Sequence, residues 1–248
     1  MHPFRKLCRR LGFDVVPFRK GALPPDFDAE DQRIISAVKP YTMTGPERLF
    51  AVIHAARYVA QRPVRGAFVE CGVWRGGSMM AAALTLHALG QTDRELFLFD
   101  TFEGMSRPTE RDVSYKGTSA MDTFNQKRRG EDSSDWCRAT LDDVRAALDS
   151  TGYPRERVHL IKGKVEETLP AQAPEQIALL RLDTDWYEST RHELEHLYPR
   201  LVSGGVLLID DYGHWKGSRE ATDEYIAKHN LKLLLHRIDA PGRMAIKP

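Results

Sequence analysis

The stretch that decides the expected fold is Gly66–Ser78, with the sequence GAFVECGVWRGGS. Its apolar run, which includes Phe68 and Val69, predicts a buried parallel strand that ends at Glu70 and breaks into a glycine-rich turn. The apolar segment that follows predicts a helix over 77–89. Glycines at such a junction let backbone and ligand approach closely, and the start of the helix offers unpaired N–H groups. The pattern is typical of a site that receives a nucleotide-type cofactor.

Strands and helices alternate along the rest of the chain. Besides the strand over 67–71, strands are predicted over 96–100, 158–162, 178–183, 205–210, near 231–236 and 243–247, and helices after 46, over 188–200 and over 218–229. This alternation predicts an α/β protein with a mainly parallel, seven-stranded sheet and helices on both faces.

Two regions flank or interrupt this pattern. Residues 1–45 are expected to form an N-terminal extension that includes a cofactor lid, and residues 46–248 a single domain. The spacing Thr44-x-x-Glu47 is that of a capping box, with Pro46 in the first turn of the helix. Inside the domain, the polar segment of about 104–138 predicts a long structureless insertion, which is usually a working lid or disorder.

Composition argues against several classes of partner. The net charge is +1 with 29% charged residues, so nothing indicates binding to nucleic acid or to an acidic membrane. The three cysteines lack metal-ligand spacing, and no apolar run approaches membrane-spanning length. The segment 1–18 contains Arg5, Lys6, Arg9 and Arg10 and lacks the apolar core of a signal peptide. It predicts a basic surface arm or, as an alternative, a short amphipathic helix. We therefore expect a cytoplasmic protein.

Acidic residues collect where the predicted strands end. They are Glu70, Asp100, Asp183, Asp185, Asp210 and Asp211. Ligands of open parallel sheets bind outside these carboxyl ends. One acid at such a position often only caps a helix, but six together predict a binding site. A carboxylate such as Asp100 could accept hydrogen bonds from two ribose hydroxyls.

Asp183, Asp210 and Asp211 are expected to lie close together because they follow adjacent strands. Three carboxylates in one crevice repel each other, and a divalent cation relieves that repulsion. Ligation by oxygen alone favours Mg²⁺, Mn²⁺ or Ca²⁺ over Zn²⁺. On the same loop, His214 is a candidate base or hydrogen-bond partner of a substrate, or is merely exposed, and Trp215 could line an acceptor pocket or pack in the core.

Four motifs resemble the macrocin O-methyltransferase family. They are ECGVWRGGS (70–78), FDTFEGM (99–105), LDTDWY (182–187) and IDDYGHW (209–215), within a similarity that covers roughly residues 41–225. The family's characterised members methylate sugar hydroxyls on macrolide and aminocoumarin antibiotics. The resemblance implies S-adenosylmethionine as the methyl donor, Mg²⁺ dependence, a Rossmann-like class I methyltransferase fold, a glycoside or glycan acceptor, and a homodimer or higher homo-oligomer.

The resemblance also implies roles for individual residues. Those implied to bind the cofactor are Thr42, Met43, Glu70, Gly72, Gly76, Ser78, Asp100 and Phe102. Asp183, Asp210 and Asp211 would hold Mg²⁺. The candidate base is Asp185 or the metal-bound Asp183. The sequence departs from the family at Lys164-Val165, where we expect an aromatic residue on the adenine side.

Two other enzyme classes compete with this interpretation. The spacing Asp183-x-Asp185 also fits metal-dependent glycosyltransferases, which hold a nucleotide-sugar diphosphate through a cation. That alternative leaves the glycine turn and Asp210–Asp211 unexplained. A nicotinamide-dependent oxidoreductase is disfavoured because the turn lacks Gly-x-Gly-x-x-Gly.

Overall fold

A computed structural model describes Cys8, residues 10–12 and residues 23–248. The α-helices of this part of the chain are α1 (Ala29–Val38), α2 (Pro46–Ala60), α3 (Gly77–Ala88), α4 (Ala120–Lys127), α5 (Leu141–Asp149), α6 (Val165–Thr168), α7 (Tyr187–Leu197) and α8 (Lys216–Lys228). Among the described residues, no helix has the length and apolar character needed to cross a membrane. Most of the predicted basic arm lies outside the described residues.

A seven-stranded sheet forms the centre of the molecule. Its strands are β1 (Ala67–Cys71), β2 (Leu96–Asp100), β3 (Val158–Lys162), β4 (Ile177–Leu182), β5 (Leu201–Ile209), β6 (His236–Arg237) and β7 (Arg243–Ile246), in the order β3-β2-β1-β4-β5-β7-β6. The first five are parallel, and β7 is antiparallel to both β5 and β6. The predicted mainly parallel sheet is confirmed.

Both faces of the sheet are covered by helices. Every residue of β1 and of β4 is buried. Successive strand residues point to opposite faces, so Phe68 joins the cluster that contains Ile34, Ile53 and Leu86 of α1, α2 and α3. Val69 joins the opposite cluster, which contains residues of α7 and α8. Helix α1, within the predicted extension, therefore packs in the main core.

Several predicted elements have different ends in the structure. The strand predicted over 205–210 begins at Leu201, and the one predicted near 231–236 is reduced to two residues. The helix predicted over 188–200 ends at Leu197 and continues as a 3₁₀ turn. Pro199 lies in that turn and lacks the N–H that an α-helix needs.

The predicted capping box at Thr44 is wrong. Gly45 is the N-cap of α2, no side chain caps that helix, and Pro46 occupies its first turn. The Thr44 hydroxyl instead accepts a hydrogen bond from Nη2 of Arg181 at 3.3 Å. Genuine capping boxes start α1 and α5, where Asp occupies the third helical position in place of Glu.

The insertion over 104–138 is not structureless, contrary to the expectation from its composition. It contains α4, whose Ala120 and Phe124 are buried. Isolated bridges pair Val113 with Ser119, and Ser114 with Trp215 outside the insertion. The segment is therefore packed against the carboxyl end of the sheet.

Candidate active site

A cavity of about 380 Å³ opens at the carboxyl ends of the central strands. It lies where the chain order reverses between β1 and β4, which is the usual ligand site of such sheets. Its wall contains most of the residues singled out from the sequence, namely Thr42, Met43, Gly72, Ser78, Asp100, Asp183, Asp185, Asp210, Asp211 and His214. Glu70, Gly76 and Phe102 lie behind that wall.

The glycines of the turn after β1 leave room for main-chain atoms of neighbouring segments. A Cβ atom at Gly72 would lie 1.9 Å from the carbonyl oxygen of Asp183, and one at Gly77 would lie 2.6 Å from the carbonyl oxygen of Tyr41. Gly76 has φ +88° and is the N-cap of α3. The turn therefore brings together three chain segments that border the cavity, including the one that contains Thr42.

Asp100, at the end of β2, braces the same turn. Its Oδ2 accepts hydrogen bonds from the backbone N–H groups of Val73 (2.7 Å) and Trp74 (3.0 Å), and its Oδ1 accepts one from Phe102 (2.7 Å). Burial raises the pKa of Asp100, although these N–H groups oppose the shift. Trp74 and Phe102 both have positive φ. The carboxylate stabilises the strained backbone beside the cavity.

Glu70 and Arg181 form a buried ion pair across β1 and β4. They are register partners, with exposures of 1% and 2% and a contact of 2.7 Å. Burial raises the pKa of Glu70 to about 7, although Arg181 favours the charged form. The second carboxylate oxygen of Glu70 is buried and has no hydrogen-bond partner among the described residues.

Arg181 also contacts the acidic cluster. Its guanidinium lies 2.7 Å from Oδ2 of Asp183 and 2.6 Å from Oδ1 of Asp210. Arg48 pairs with the other oxygen of Asp210 and, at 3.0 Å, with Asp239. Buried charges need such partners to offset the cost of desolvation. The two arginines therefore hold the carboxylates at the base of the cavity.

Asp183, Asp210 and Asp211 can each offer an oxygen atom within 4.8 Å of the other two. Burial and the neighbouring carboxylates raise the pKa of Asp183 and of Asp211 well above the usual range. The carboxyl groups that meet here are those of Glu70, Asp183, Asp185, Asp210 and Asp211, against the guanidinium groups of Arg48 and Arg181. Full ionisation would leave a negative excess, so the donor set fits a divalent cation.

Asp185 lies in a strained loop between β4 and α7. Its φ is +68°, which is unusual for a residue other than glycine. Oδ1 accepts a hydrogen bond from Nε1 of Trp215 at 2.6 Å, and its backbone N–H donates to Asp211 at 3.2 Å. Burial, followed by the charge of Asp183, raises the pKa of Asp185 to about 8. The loop holds this side chain in one orientation.

Three tryptophans form an aromatic wall beside Asp185. Trp136, Trp186 and Trp215 meet edge to face, with ring centroids 5.1 to 6.1 Å apart. Trp136 and Trp215 line the cavity. Nε1 of Trp186 donates to the carbonyl oxygen of Ser106 at 3.2 Å. Both Ser106 and Trp136 belong to the insertion, which therefore supplies part of the wall.

His214 and Met43 lie at the rim of the cavity and are exposed. The His214 ring meets Trp215 and Tyr115 edge to face, at centroid distances of 4.8 and 5.7 Å. Partial desolvation and the nearby cations lower the pKa of His214. Met43 is 62% exposed. The rim on these sides is largely apolar.

Sequence reasoning missed Arg48, Arg181 and Trp136. Arg181 left a signal, because it is a charged residue inside the apolar run of a central strand, where a charge requires buried partners. Lys164, which stands in place of an expected aromatic residue, lines the cavity and pairs with Asp132 of the insertion. An ion pair joins the insertion to the start of α6, after β3, where we expected an aromatic ring.

Comparison with known proteins agrees with this geometry. Residues 25–245 match the model of the family described as macrocin-O-methyltransferase (TylF). The chain is 33% identical over 241 residues to 8-demethyl-8-(2,3-dimethoxy-alpha-L-rhamnosyl)-tetracenomycin-C 4'-O-methyltransferase of Streptomyces olivaceus, covering 96% of this chain and 88% of that protein. It is 32% identical over 202 residues to mycinamicin III 3''-O-methyltransferase of Micromonospora griseorubida, covering 82% and 76%.

A solved structure shows the same fold. The O-methyltransferase NovP superposes with a TM-score of 0.72 at 29% sequence identity, covering 84% of this chain and 82% of that one. The family match spans nearly the whole described chain, and it includes every strand of the sheet except the end of β7. The chain therefore belongs to the macrocin-O-methyltransferase (TylF) family and is an O-methyltransferase with a class I methyltransferase fold.

Proposed function

We propose that this enzyme transfers a methyl group from S-adenosylmethionine to a sugar hydroxyl on a natural product or glycan, with Mg²⁺ bound beside the acceptor. The observation that carries the proposal is the joint presence, on one cavity wall, of the glycine turn and the carboxylates Asp183, Asp185, Asp210 and Asp211. The relatives' names specify O-methylation of a rhamnosyl tetracenomycin and of mycinamicin III, which supports a glycoside acceptor.

On the donor side, the cofactor would lie against the turn from Gly72 to Ser78. Asp100 would bind the ribose while it braces the turn, since a carboxylate oxygen accepts more than one hydrogen bond. The unpartnered oxygen of Glu70 supplies a buried acceptor that the ammonium group of the cofactor would satisfy. Thr42 and Met43 would cover the bound cofactor, and Phe102 would support the adenine side from behind the wall.

On the acceptor side, Asp183, Asp210 and Asp211 would hold Mg²⁺. A cation held there polarises a nearby hydroxyl and lowers its pKa. Asp185 would accept the proton of that hydroxyl, because its side chain lies beside the acidic cluster and is held in one orientation by Trp215. His214 would contact the acceptor at the rim.

The proposed homodimer or higher homo-oligomer rests on the family resemblance. The proposal also keeps two expectations from the sequence: a cytoplasmic location, and the division into an N-terminal extension with a cofactor lid (1–45) and a methyltransferase domain (46–248). Membership of an O-methyltransferase family decides against the glycosyltransferase alternative built on Asp183-x-Asp185.

Calorimetric titration tests the proposal. S-adenosylhomocysteine should bind with a micromolar dissociation constant in the presence of Mg²⁺, whereas UDP-glucose and NAD⁺ should not bind. A screen of glycosides with S-adenosylmethionine should then yield a methylated product whose formation stops when EDTA removes the metal. A metal-dependent response to UDP-glucose without binding of S-adenosylhomocysteine would overturn the proposal.

A further inference from the structure

The insertion contains a fully buried carboxylate, which lies at the start of α7. Asp112 is 0% exposed. Its Oδ2 accepts hydrogen bonds from the backbone N–H (2.6 Å) and the hydroxyl (2.8 Å) of Thr109. Its Oδ1 accepts one from the backbone N–H of Tyr187 at 2.8 Å. A charged residue of a polar loop therefore lies completely inside the protein.

The partner Tyr187 is the first residue of α7, directly after the loop that contains Asp183 and Asp185. The first N–H groups of a helix have no partner within the helix, and a carboxylate there is stabilised by the helix dipole. Helix α7 has no side-chain hydrogen bond from its own N-cap, Trp186. Asp112, in the insertion, therefore provides the side-chain hydrogen bond at the start of α7 that the N-cap residue does not make.

The same carboxylate packs against the start of α8. A Cβ atom at Gly217 would lie 2.3 Å from Oδ1 of Asp112 and 3.1 Å from Cβ of Tyr187. Only glycine leaves room at this position. Helix α8 directly follows the loop that contains Asp210, Asp211 and His214. Asp112 therefore lies at the junction of the two helices that succeed the acidic loops.

The residues after Asp112 pair with the second of these loops. The backbone N–H of Lys216 donates to the carbonyl oxygen of Val113 at 2.9 Å, and that of Tyr115 donates to the carbonyl oxygen of His214 at 2.8 Å. These two bonds flank the bridge between Ser114 and Trp215. The insertion is thus fastened to both acidic loops over a short stretch that starts at Asp112.

We propose that Asp112 is a positioning residue: its buried carboxylate fixes the insertion to the starts of α7 and α8 and thereby sets the relative orientation of the two acidic loops. The inference rests on the proposed function in one respect, because the consequence tested is the affinity of the acidic cluster for a divalent cation. Asp112 itself contacts neither that cluster nor the turn after β1 in its hydrogen bonds.

Three variants of the full-length chain test the inference. Asp112→Ala removes every contact of the carboxylate. Asp112→Asn keeps one oxygen that accepts from the N–H of Tyr187, but its NH₂ group can accept neither of the bonds from Thr109. Asp143→Ala is the control for the loss of a capping carboxylate elsewhere, because Asp143 is exposed and serves α5, in a box with Thr140.

The measurements are amide hydrogen exchange and the binding of Mn²⁺ and of S-adenosylhomocysteine. Asp112→Ala should speed exchange at the starts of α7 and α8 and weaken Mn²⁺ binding, each by about tenfold, the usual effect of losing one buried hydrogen-bonding group. Affinity for S-adenosylhomocysteine should change by less than about threefold, because the donor side is formed by other elements. Asp143→Ala should speed exchange at α5 and leave Mn²⁺ binding unchanged.

Asp112→Asn should change exchange and Mn²⁺ binding in the same direction but less, by about threefold for Mn²⁺ binding. If Asp112→Ala does not fold, Asp112→Asn decides whether Asp112 is a positioning residue. Unchanged exchange at both helix starts and unchanged Mn²⁺ affinity would overturn the inference. Equal losses of Mn²⁺ and S-adenosylhomocysteine binding would also overturn it, because they would indicate general destabilisation. Should the wild-type protein bind S-adenosylhomocysteine but not Mn²⁺, the metal part of the proposed function fails and hydrogen exchange alone decides the role of Asp112.

Discussion

The two sides of the cavity are built in different ways. On the donor side, after β1 and β2, the carboxylate of Asp100 is hydrogen-bonded to backbone N–H groups of its own and the neighbouring turn. On the acidic side, after β4 and β5, the carboxylates of Asp183 and Asp210 are bonded to the guanidinium groups of Arg181 and Arg48. Apart from Glu70, which pairs with Arg181, the donor side depends on backbone geometry, whereas the acidic side depends on balanced side-chain charge.

This difference predicts different sensitivities. Neutral backbone partners keep their position when one acid is replaced, so a change on the donor side should stay local. Buried charges depend on each other through the low-dielectric interior, so a change on the acidic side should spread to the remaining groups. Four substitutions test this contrast.

The largest effect is expected from Asp183→Ala. Loss of one of three carboxylates should weaken Mn²⁺ binding by about a hundredfold or more and abolish metal-dependent methyl transfer, since breaking a buried charged contact costs about 3–5 kcal/mol. Affinity for S-adenosylhomocysteine should fall much less than affinity for Mn²⁺, because Asp183 is linked to Glu70 on the donor side only through their shared partner Arg181. Titration calorimetry with each ligand measures both values, and full activity in this variant would refute the assignment of the metal site.

Arg181→Met should be the most destabilising of the four. It leaves Glu70, Asp183 and Asp210 without their shared cation, which should lower the free energy of unfolding by about 3–5 kcal/mol. Mg²⁺ should restore part of this loss, because a cation can replace the guanidinium charge near the aspartates. Denaturant unfolding with and without Mg²⁺ measures the effect. Arg181→Lys keeps the charge but not the forked geometry, so its free energy of unfolding should lie between those of the wild type and of Arg181→Met.

Glu70→Gln should change the dependence of stability on pH. Because the pKa of Glu70 is raised to about 7 in the folded protein, the folded state keeps a proton that the unfolded chain releases above its ordinary pKa of 4.5. Stability from this group is therefore complete below pH 4.5, falls as the pH rises towards 7, and is constant above that, a change on the order of 3 kcal/mol. The variant should lose this slope in unfolding experiments from pH 4.5 to 7.

A control for that experiment is Glu30→Gln. The pKa of Glu30 is lowered, because the side chain of Arg33 donates hydrogen bonds to its carboxylate. Its replacement should leave the slope between pH 4.5 and 7 unchanged. An unaltered slope in Glu70→Gln itself would show that other groups set the pH dependence.

The smallest effect is expected from Asp100→Asn. The amide can still accept bonds through one oxygen, so the variant should lose only about 1–3 kcal/mol of stability. Affinity for S-adenosylhomocysteine should fall by about tenfold or more as the turn loosens, and Mn²⁺ binding should stay at the wild-type value. Equal damage to Mn²⁺ binding would contradict the local character of the donor side.

The same contrast explains what sequence could predict. The strand, turn and helix around Gly72 follow from local periodicity and glycine placement, and they appear where expected. The acids of β4 and β5 also follow from position, since each ends a predicted strand. Their placement on one wall could be predicted from the rule that adjacent parallel strands end at the same edge of a sheet.

The partners of these acids could not be found in this way. Arg48 and Asp239 are 191 residues apart, Arg181 and Glu70 are 111 apart, and Asp112 and Tyr187 are 75 apart. No local pattern encodes such pairs. The insertion was misjudged for the same reason, because its polar composition hides Asp112, whose burial depends on two helix starts contributed by distant parts of the chain.

The way in which the insertion is fastened also shows where it can be altered. Its attachment on one side is the stretch from Asp112 to Tyr115, and on the other Asp132 forms an ion pair with Lys164, which follows β3. Between these points the turn at Gly117 has open space around it. Exposed turns of this kind tolerate added residues. We therefore expect that a reporter peptide or a loop from a relative grafted at Gly117 will leave in place the carboxylates on which methyl transfer would depend.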